Sequence, residues 1–260
     1  MTVLLLAGSR PGRDTLAAAF DVPAKALVPV RGEPMLSRVA RTLVDHPGIG
    51  TIIVLAQDPE LLTGQADTKW LAAHPAIGFE TAAASVSAAV ASAVGRRPAG
   101  YPFLVVTADH ALLDAAMLDA FLAPALATRA DVAMAMVERR VLEARYPGNR
   151  RTWLKFRGGS YSGANLFLLG SDRALKALEL WRTIEQQRKK GRAVVGAFGP
   201  VILAGVALRL LSLGRALRMA GRRLGLAAAA IELSIAEACI DVDKLEDHRL
   251  AEEILARREG

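Results

Sequence analysis

Three short apolar runs, Thr2 to Leu6, Thr51 to Leu55 and Phe103 to Val106, are separated by stretches long enough for a helix and its two turns, and this spacing most restricts the fold. Helical patterns fill the gaps at Met35 to Val44, Ser85 to Val94 and Asp114 to Leu122. Strands joined by helices of that length pair in parallel through right-handed crossovers. The chain is therefore predicted to be an α/β protein, a three-layer Rossmann-like sandwich with a mostly parallel mixed sheet and helices on both faces. Ligands of such a sheet gather beyond the carboxyl ends of its strands.

With 260 residues, 52% of them apolar, one domain over 1–260 is the economical reading. The strand-helix alternation occupies 1–126. From 127 to 192 the rhythm changes. Strands are expected at Asp131 to Val137 and Ala164 to Leu169, around a polar, glycine-containing stretch from Arg145 to Gly163 that reads as a lobe for a second substrate. A helix from Ser171 to Lys190 would end in the basic cluster Arg188, Lys189, Lys190 and Arg192. Residues 227–260 return as extended chain at Ile231 to Ile240 and a helix from Leu245 to Arg258.

The segment 193–226 is apolar and then basic. Ala193 to Leu208 carries no charge, and arginines interrupt the apolar pattern from Arg209 to Arg223, too soon for a transmembrane helix. On a helix beginning near Pro200, Arg215, Arg218 and Arg222 share one face opposite leucines. Such a helix suits either an anionic membrane surface, contacted through 200–223, or a core helix with a solvated basic edge.

The lone Cys239 excludes a disulfide framework and favours a reducing compartment, where it packs as a small apolar group. Met1 to Gly8 lacks the basic start and cleavage site of a signal peptide. A cytoplasmic location is expected, peripheral to the inner face of the membrane if the basic helix binds there. The formal charge of +7 attracts phosphates, yet no aromatic-rich basic strand or zinc-finger spacing accompanies it, so nucleotides or an anionic surface are expected rather than nucleic acid.

Four segments can carry chemistry. Leu6-Ala7-Gly8-Ser9-Arg10-Pro11-Gly12-Arg13 follows the first strand, and its glycines and arginines offer backbone N–H groups and guanidinium forks to an anion. Pro23 to Leu36 places Lys25 before a short apolar strand, a turn and a helix start. Thr107-Ala108-Asp109-His110 brings the Asp109 carboxylate to a strand's carboxyl end, where it binds a cation or caps the next helix. Ile240-Asp241-Val242-Asp243-Lys244-Leu245-Glu246-Asp247 precedes the last helix; alternation turns Asp241 and Asp243 to the same side, and Asp243 with Glu246 would also make a capping box.

In order along the chain, these segments resemble the nucleotidyltransferases related to molybdenum-cofactor guanylyltransferase. Members open with Leu-Ala-Gly-Gly and an arginine, continue with Pro-Lys and a Leu-Pro-Val-x-Gly-x-Pro-Met-like stretch, and end in Asp-x-Asp-Thr-Pro-Glu-Asp. Here Ser9 and Pro11 stand in place of glycines, Ala24 separates Pro23 from Lys25, and Lys244-Leu245 replaces Thr-Pro.

The resemblance implies a GT-A-like nucleotidyltransferase fold whose nucleotide-binding half is 1–126. It implies that Leu6, Ala7, Gly8, Ser9, Arg10, Gly12 and Arg13 surround the triphosphate, with Lys25 and Arg13 neutralising charge during displacement. Thr107 and Ala108 would adjoin the nucleotide, and Ala84 and Ser85 its base. Asp109 and Asp243 would hold Mg²⁺, with Asp241 in the outer shell, while Gly159, Gly163 and Asn165 would contact the acceptor. His110 lacks a second ligand at metal spacing and reads as packing.

The implied activity is transfer of NMP from an NTP, CTP or GTP foremost, to a phosphorylated alcohol or sugar for lipid or cell-envelope synthesis. A molybdopterin acceptor is the alternative within the class. A glycosyltransferase with Asp241-Val242-Asp243 as its metal triplet, or a nucleotide-binding module without catalysis, are the alternatives outside it.

Overall fold

The computed structural model describes residues 1–8, 12, 14–82, 85–186 and 198–259. The parallel strands are β1 (Thr2–Leu6), β4 (Thr51–Ala56), β5 (Ile77–Thr81), β6 (Phe103–Thr107), β7 (Val132–Glu138) and β10 (Ala228–Leu233), while β2 (Pro29–Val30) and β3 (Glu33–Pro34) form a separate small ribbon. β8 (Leu154–Phe156) and β9 (Gly159–Leu169) make a hairpin, and β9 inserts antiparallel between β6 and β7. The order across the large sheet is β10-β7-β9-β6-β1-β4-β5. The expected mixed, mostly parallel sheet is what the chain forms.

Alternation along β1 explains the three layers. Val3 and Leu5 pack with Leu36, Val39, Leu118, Phe121 and Ile254 from the helices Met35–Asp45, Ala115–Ala127 and Leu245–Glu259. Leu4 turns the other way, to Val90 and Ala93 of Val86–Gly95 and to Leu178 of Ala174–Gln186. Both faces of a parallel sheet are thereby covered, which is why its strands read as unbroken apolar runs.

Three sequence expectations change. The extended segment at Ile231 to Ile240 is instead the end of β10 followed by a 3-10 turn, Ala236–Cys239, which buries Cys239; burial pushes that thiol's pKa up to about 11. The expected helix to Lys190 is described as Ala174–Gln186, and Arg188, Lys189, Lys190 and Arg192 lie outside the described residues. The single helix from Pro200 is two, Pro200–Ala207 and Leu213–Leu224. The first of them ends where Arg209 takes a left-handed conformation (φ 55°) and the N–H of Leu210 bonds back to the carbonyl of Gly205 at 2.7 Å, a C-terminal cap that reverses the chain.

On Leu213–Leu224 the residues Arg215, Arg218 and Arg222 are exposed, as expected, while Leu213, Ala216 and Ala220 are buried. Its apolar stripe is thus taken up by the protein, leaving only the basic face outward. Among the described residues, no helix is long and apolar enough to cross a membrane.

Candidate active site

Parallel pairing places the carboxyl ends of β4, β1 and β6 side by side. The N–H of Ala7 bonds to the Leu55 carbonyl at 3.0 Å, and the N–H of Ala108 to the Leu6 carbonyl at 2.9 Å. The loops leaving Ala7 and Ala108 therefore start from one edge. A side chain at Gly8 would come within 2.9 Å of the Gln57 amide, and Gly12 adopts φ +107°, a region that favours glycine. Ser9, Arg10, Arg13 and Ala84, all expected at the nucleotide, lie outside the described residues.

Lys25 begins a 3-10 turn, Lys25–Leu27, whose Ala26 and Leu27 are buried, and this anchors its side chain toward the same edge. The ammonium bonds to Asp109 Oδ2 at 2.7 Å and also to Asp243 Oδ1, joining groups 84 and 218 residues away. Thr107 donates its hydroxyl to Asp109 Oδ1 at 2.5 Å, so it orients the carboxylate. Capping is not the role of Asp109: Asp114 caps the following helix through the N–H of Met117 at 2.9 Å. The N–H of Val242 bonds to the carbonyl of Asp109 at 3.0 Å, which fastens the terminal loop to the end of β6.

The alternation expected at Asp241 and Asp243 holds, with Val242 fully buried between them. One carboxylate oxygen from each of Asp109, Asp241 and Asp243 lies within 4.8 Å of the others. Asp241, expected in an outer shell, is thus part of the cluster itself. Arg151 bonds to Asp241 Oδ1 and, at 3.1 Å, to Asp247 Oδ1; Asn165 Nδ2 donates to Asp241 Oδ2 at 3.2 Å. Asp247, in the first turn of the last helix, accepts the N–H of Asp243 at 3.3 Å and so ties the terminal loop to that helix.

The electrostatics follow from this crowding. Burial alone would lower the Lys25 pKa, but Asp109 and then Asp243 outweigh it and hold the ammonium above its ordinary value. Burial pushes the Asp241 carboxyl up, opposed by Arg151 and reinforced by Asp243 and Asp109. Four carboxylates, Asp109, Asp241, Asp243 and Asp247, face two cations, Lys25 and Arg151. Fully ionised, the set carries two surplus negative charges on hard oxygen donors, which matches a divalent cation such as Mg²⁺.

Other expected residues are placed as follows. Ser85 caps Val86–Gly95 by accepting the N–H of Ala88 at 3.2 Å, at the end of β5 on the same sheet edge. Gly159 begins β9 opposite Phe156, and Gly163, further along the strand, lies opposite Met136. Asn165, expected at the acceptor, is drawn to Asp241 by a left-handed backbone (φ 51°) at the β7–β9 irregularity. His110 is buried as packing, and burial holds its pKa down to about 4. Sequence reasoning missed Arg151, Asp247 and Gln57. Asp247 was within the acidic segment; nothing in spacing singles out Arg151 among 33 lysines and arginines.

A family model described as the MobA-like NTP transferase domain matches residues 3–204. A structure described as a hypothetical transferase from Thermus thermophilus is 29% identical, with a TM-score of 0.75 over 95% of this chain and 98% of the other. CMP:2-keto-3-deoxy-manno-octonic acid synthetase complexed with CTP shares the fold at 12% identity, with a TM-score of 0.61 over 99% of each chain. So does 2-C-methyl-D-erythritol 4-phosphate cytidylyltransferase, also from Thermus thermophilus, at 16% identity and a TM-score of 0.52 over 98% of each chain. No curated protein matches.

Proposed function

This chain belongs to the family of MobA-like NTP transferase domains, and from that premise we propose that it transfers NMP from an NTP to a phosphorylated small-molecule acceptor, releasing pyrophosphate. The observation that carries the reading is Lys25 held between Asp109 and Asp243 at the sheet edge where the glycine loop begins. A triphosphate entering there meets a cation and an acidic pair on the same side.

Mg²⁺ suits Asp109 and Asp243, with Asp241 adjoining, and when bound supplies charge neutralisation at the phosphates. The backbone at Gly12 is open to close approach by phosphate oxygens, Gly8 leaves room for the Gln57 amide beside it, and Arg13 is the expected guanidinium partner. Lys25 stabilises charge that develops at the α-phosphate. Thr107 and Asn165 keep the acidic side chains oriented, so the protein's contribution is positioning and preorganised charge rather than a covalent nucleophile. A phosphate acceptor is already ionised near neutral pH and requires no general base.

CTP heads the donors because two structures of the same fold are described by CTP or cytidylyl transfer; GTP follows from the family resemblance. The acceptor is proposed to be a phosphorylated alcohol or sugar, entering against residues 127–192. The test is a matrix of four NTPs against phosphorylated alcohols and sugars with Mg²⁺, reading pyrophosphate. One productive pair is expected, with activity abolished by EDTA and reduced roughly 10³-fold in Lys25→Ala and Asp109→Ala. Release that survives both substitutions overturns the site; no pyrophosphate from any NTP, together with nucleoside diphosphate released from an added nucleotide sugar, points to glycosyl transfer instead.

A further inference from the structure

Arg151 belongs to none of the segments that carry the family resemblance, yet its guanidinium makes four hydrogen bonds beside the cluster. It arrives from the loop between the helix Arg139–Arg145 and β8, and its side chain is only 8% exposed. Nε bonds to Asn149 Oδ1 at 3.0 Å, which holds the guanidinium plane. Nη1 bonds to the Asp241 carboxylate and, at 3.3 Å, to the Asp241 carbonyl; Nη2 reaches Asp247 at 3.1 Å.

The remaining oxygens of both carboxylates are also committed. Asp241 Oδ2 takes Asn165, and Asp247 Oδ2 takes the N–H of Asp243. One guanidinium therefore fixes Asp241 directly and the backbone of Asp243 through Asp247. A planar fork spanning two carboxylates is a task for arginine, since a lysine is a point charge without that geometry. Without Arg151, two largely buried carboxylates would face each other and the Asp109–Asp243 pair uncompensated.

We propose that Arg151 is the positioning residue that holds Asp241 and Asp243 in the arrangement that receives a divalent cation. This rests on the transfer reading above, because it assigns the cluster a metal. Residues orienting a metal's ligands typically change affinity by ~10–100-fold when replaced.

The test uses the full chain with Mn²⁺ as the probe, its affinity read from the electron paramagnetic resonance of the free ion, alongside thermal melting and pyrophosphate release. In Arg151→Gln, Mn²⁺ binding is expected to weaken ~10–100-fold, with kcat returning toward wild type at saturating metal. Arg151→Lys keeps the charge and loses the fork; it is expected to weaken binding less, and it carries the test if the glutamine variant does not fold. A lowered melting temperature with unchanged Mn²⁺ affinity in the folded variants makes Arg151 merely structural and overturns the proposal. Wild type that binds no Mn²⁺, even with NTP present, sinks the metal reading together with this one, whereas equal binding by wild type and variants sinks only this one.

Discussion

At the sheet edge, Lys25 is held by carboxylates 84 and 218 residues away along the chain, and each partner has partners of its own. The helices Pro200–Ala207 and Leu213–Leu224 hold together differently, through Ile202, Leu211, Ala216 and Ala220, beside an apolar cavity of about 590 Å³ lined by Met134, Phe167, Trp181 and Leu217 among others. Val201, Leu208 and Leu210 remain exposed on that layer. In the first region identity and direction are fixed atom by atom; in the second only apolar bulk is specified. Substitution should accordingly cost activity at the edge with little loss of fold, and cost modest stability in the helical layer with little loss of activity.

The largest effect expected is at the edge. Asp243→Asn, with its side chain 63% exposed, should lower kcat roughly 10³-fold, about 4 kcal/mol, while the urea midpoint stays near wild type. A large shift of that midpoint would erase the distinction between the two regions.

Next, two leucines sharpen the contrast. Leu118, fully buried under the sheet, should cost about 3 kcal/mol on replacement by alanine. Leu217, half-buried at the cavity, should cost distinctly less, because its surroundings are already loosely filled. Equal losses in urea denaturation would show the helical layer to be as tightly specified as the core.

Asp131 lies between these extremes, stitching the start of β7 to the Ala227 N–H at 2.7 Å and to the Ser171 hydroxyl at 2.5 Å. Burial works against its charge, but those two donors prevail and hold its pKa below the ordinary 3.8. A depressed folded value contributes stability that is present above the unfolded value and lost as pH falls through the folded one. Asp131→Asn should therefore cost about 2 kcal/mol near neutrality, and the gap to wild type should close as pH falls below 3.8. A gap that persists in acid would assign the effect to packing.

The smallest effect is expected from reversing the exposed face, Arg215→Glu with Arg218→Glu and Arg222→Glu. Stability should move by no more than about 0.5 kcal/mol and pyrophosphate release not at all. Sedimentation with anionic vesicles at low salt separates an electrostatic surface role from simple solvation: loss of vesicle binding in the triple variant supports the former, and absence of binding by wild type rejects it.

The parallel sheet was legible because its strands and helices announce themselves by local period, and the ends of β1 and β6 located the edge. The acidic pair was legible too, since alternation around buried Val242 turns both side chains one way. Arg151 was not, because its role exists only where the 146–153 loop meets the terminal loop, and local pattern carries no record of which cation crosses that gap. The split at Arg209 was hidden for a related reason: a left-handed arginine takes the place a glycine normally marks, so the helix end left no signature. The bond from Asn165 to Asp241 left no local signal either, because its reach depends on an irregularity between two strands.

Lys25 and Asp243 are expected to act as one unit, and a double-substitution cycle measures that directly. Pyrophosphate release would be compared in Lys25→Met, Asp243→Asn and the pair combined, with melting temperatures confirming that all three fold. Residues that act together lose nearly everything with the first change, so the double variant should fall within about threefold of the weaker single variant. Losses that simply multiply would show that the two groups serve the reaction separately and share no site.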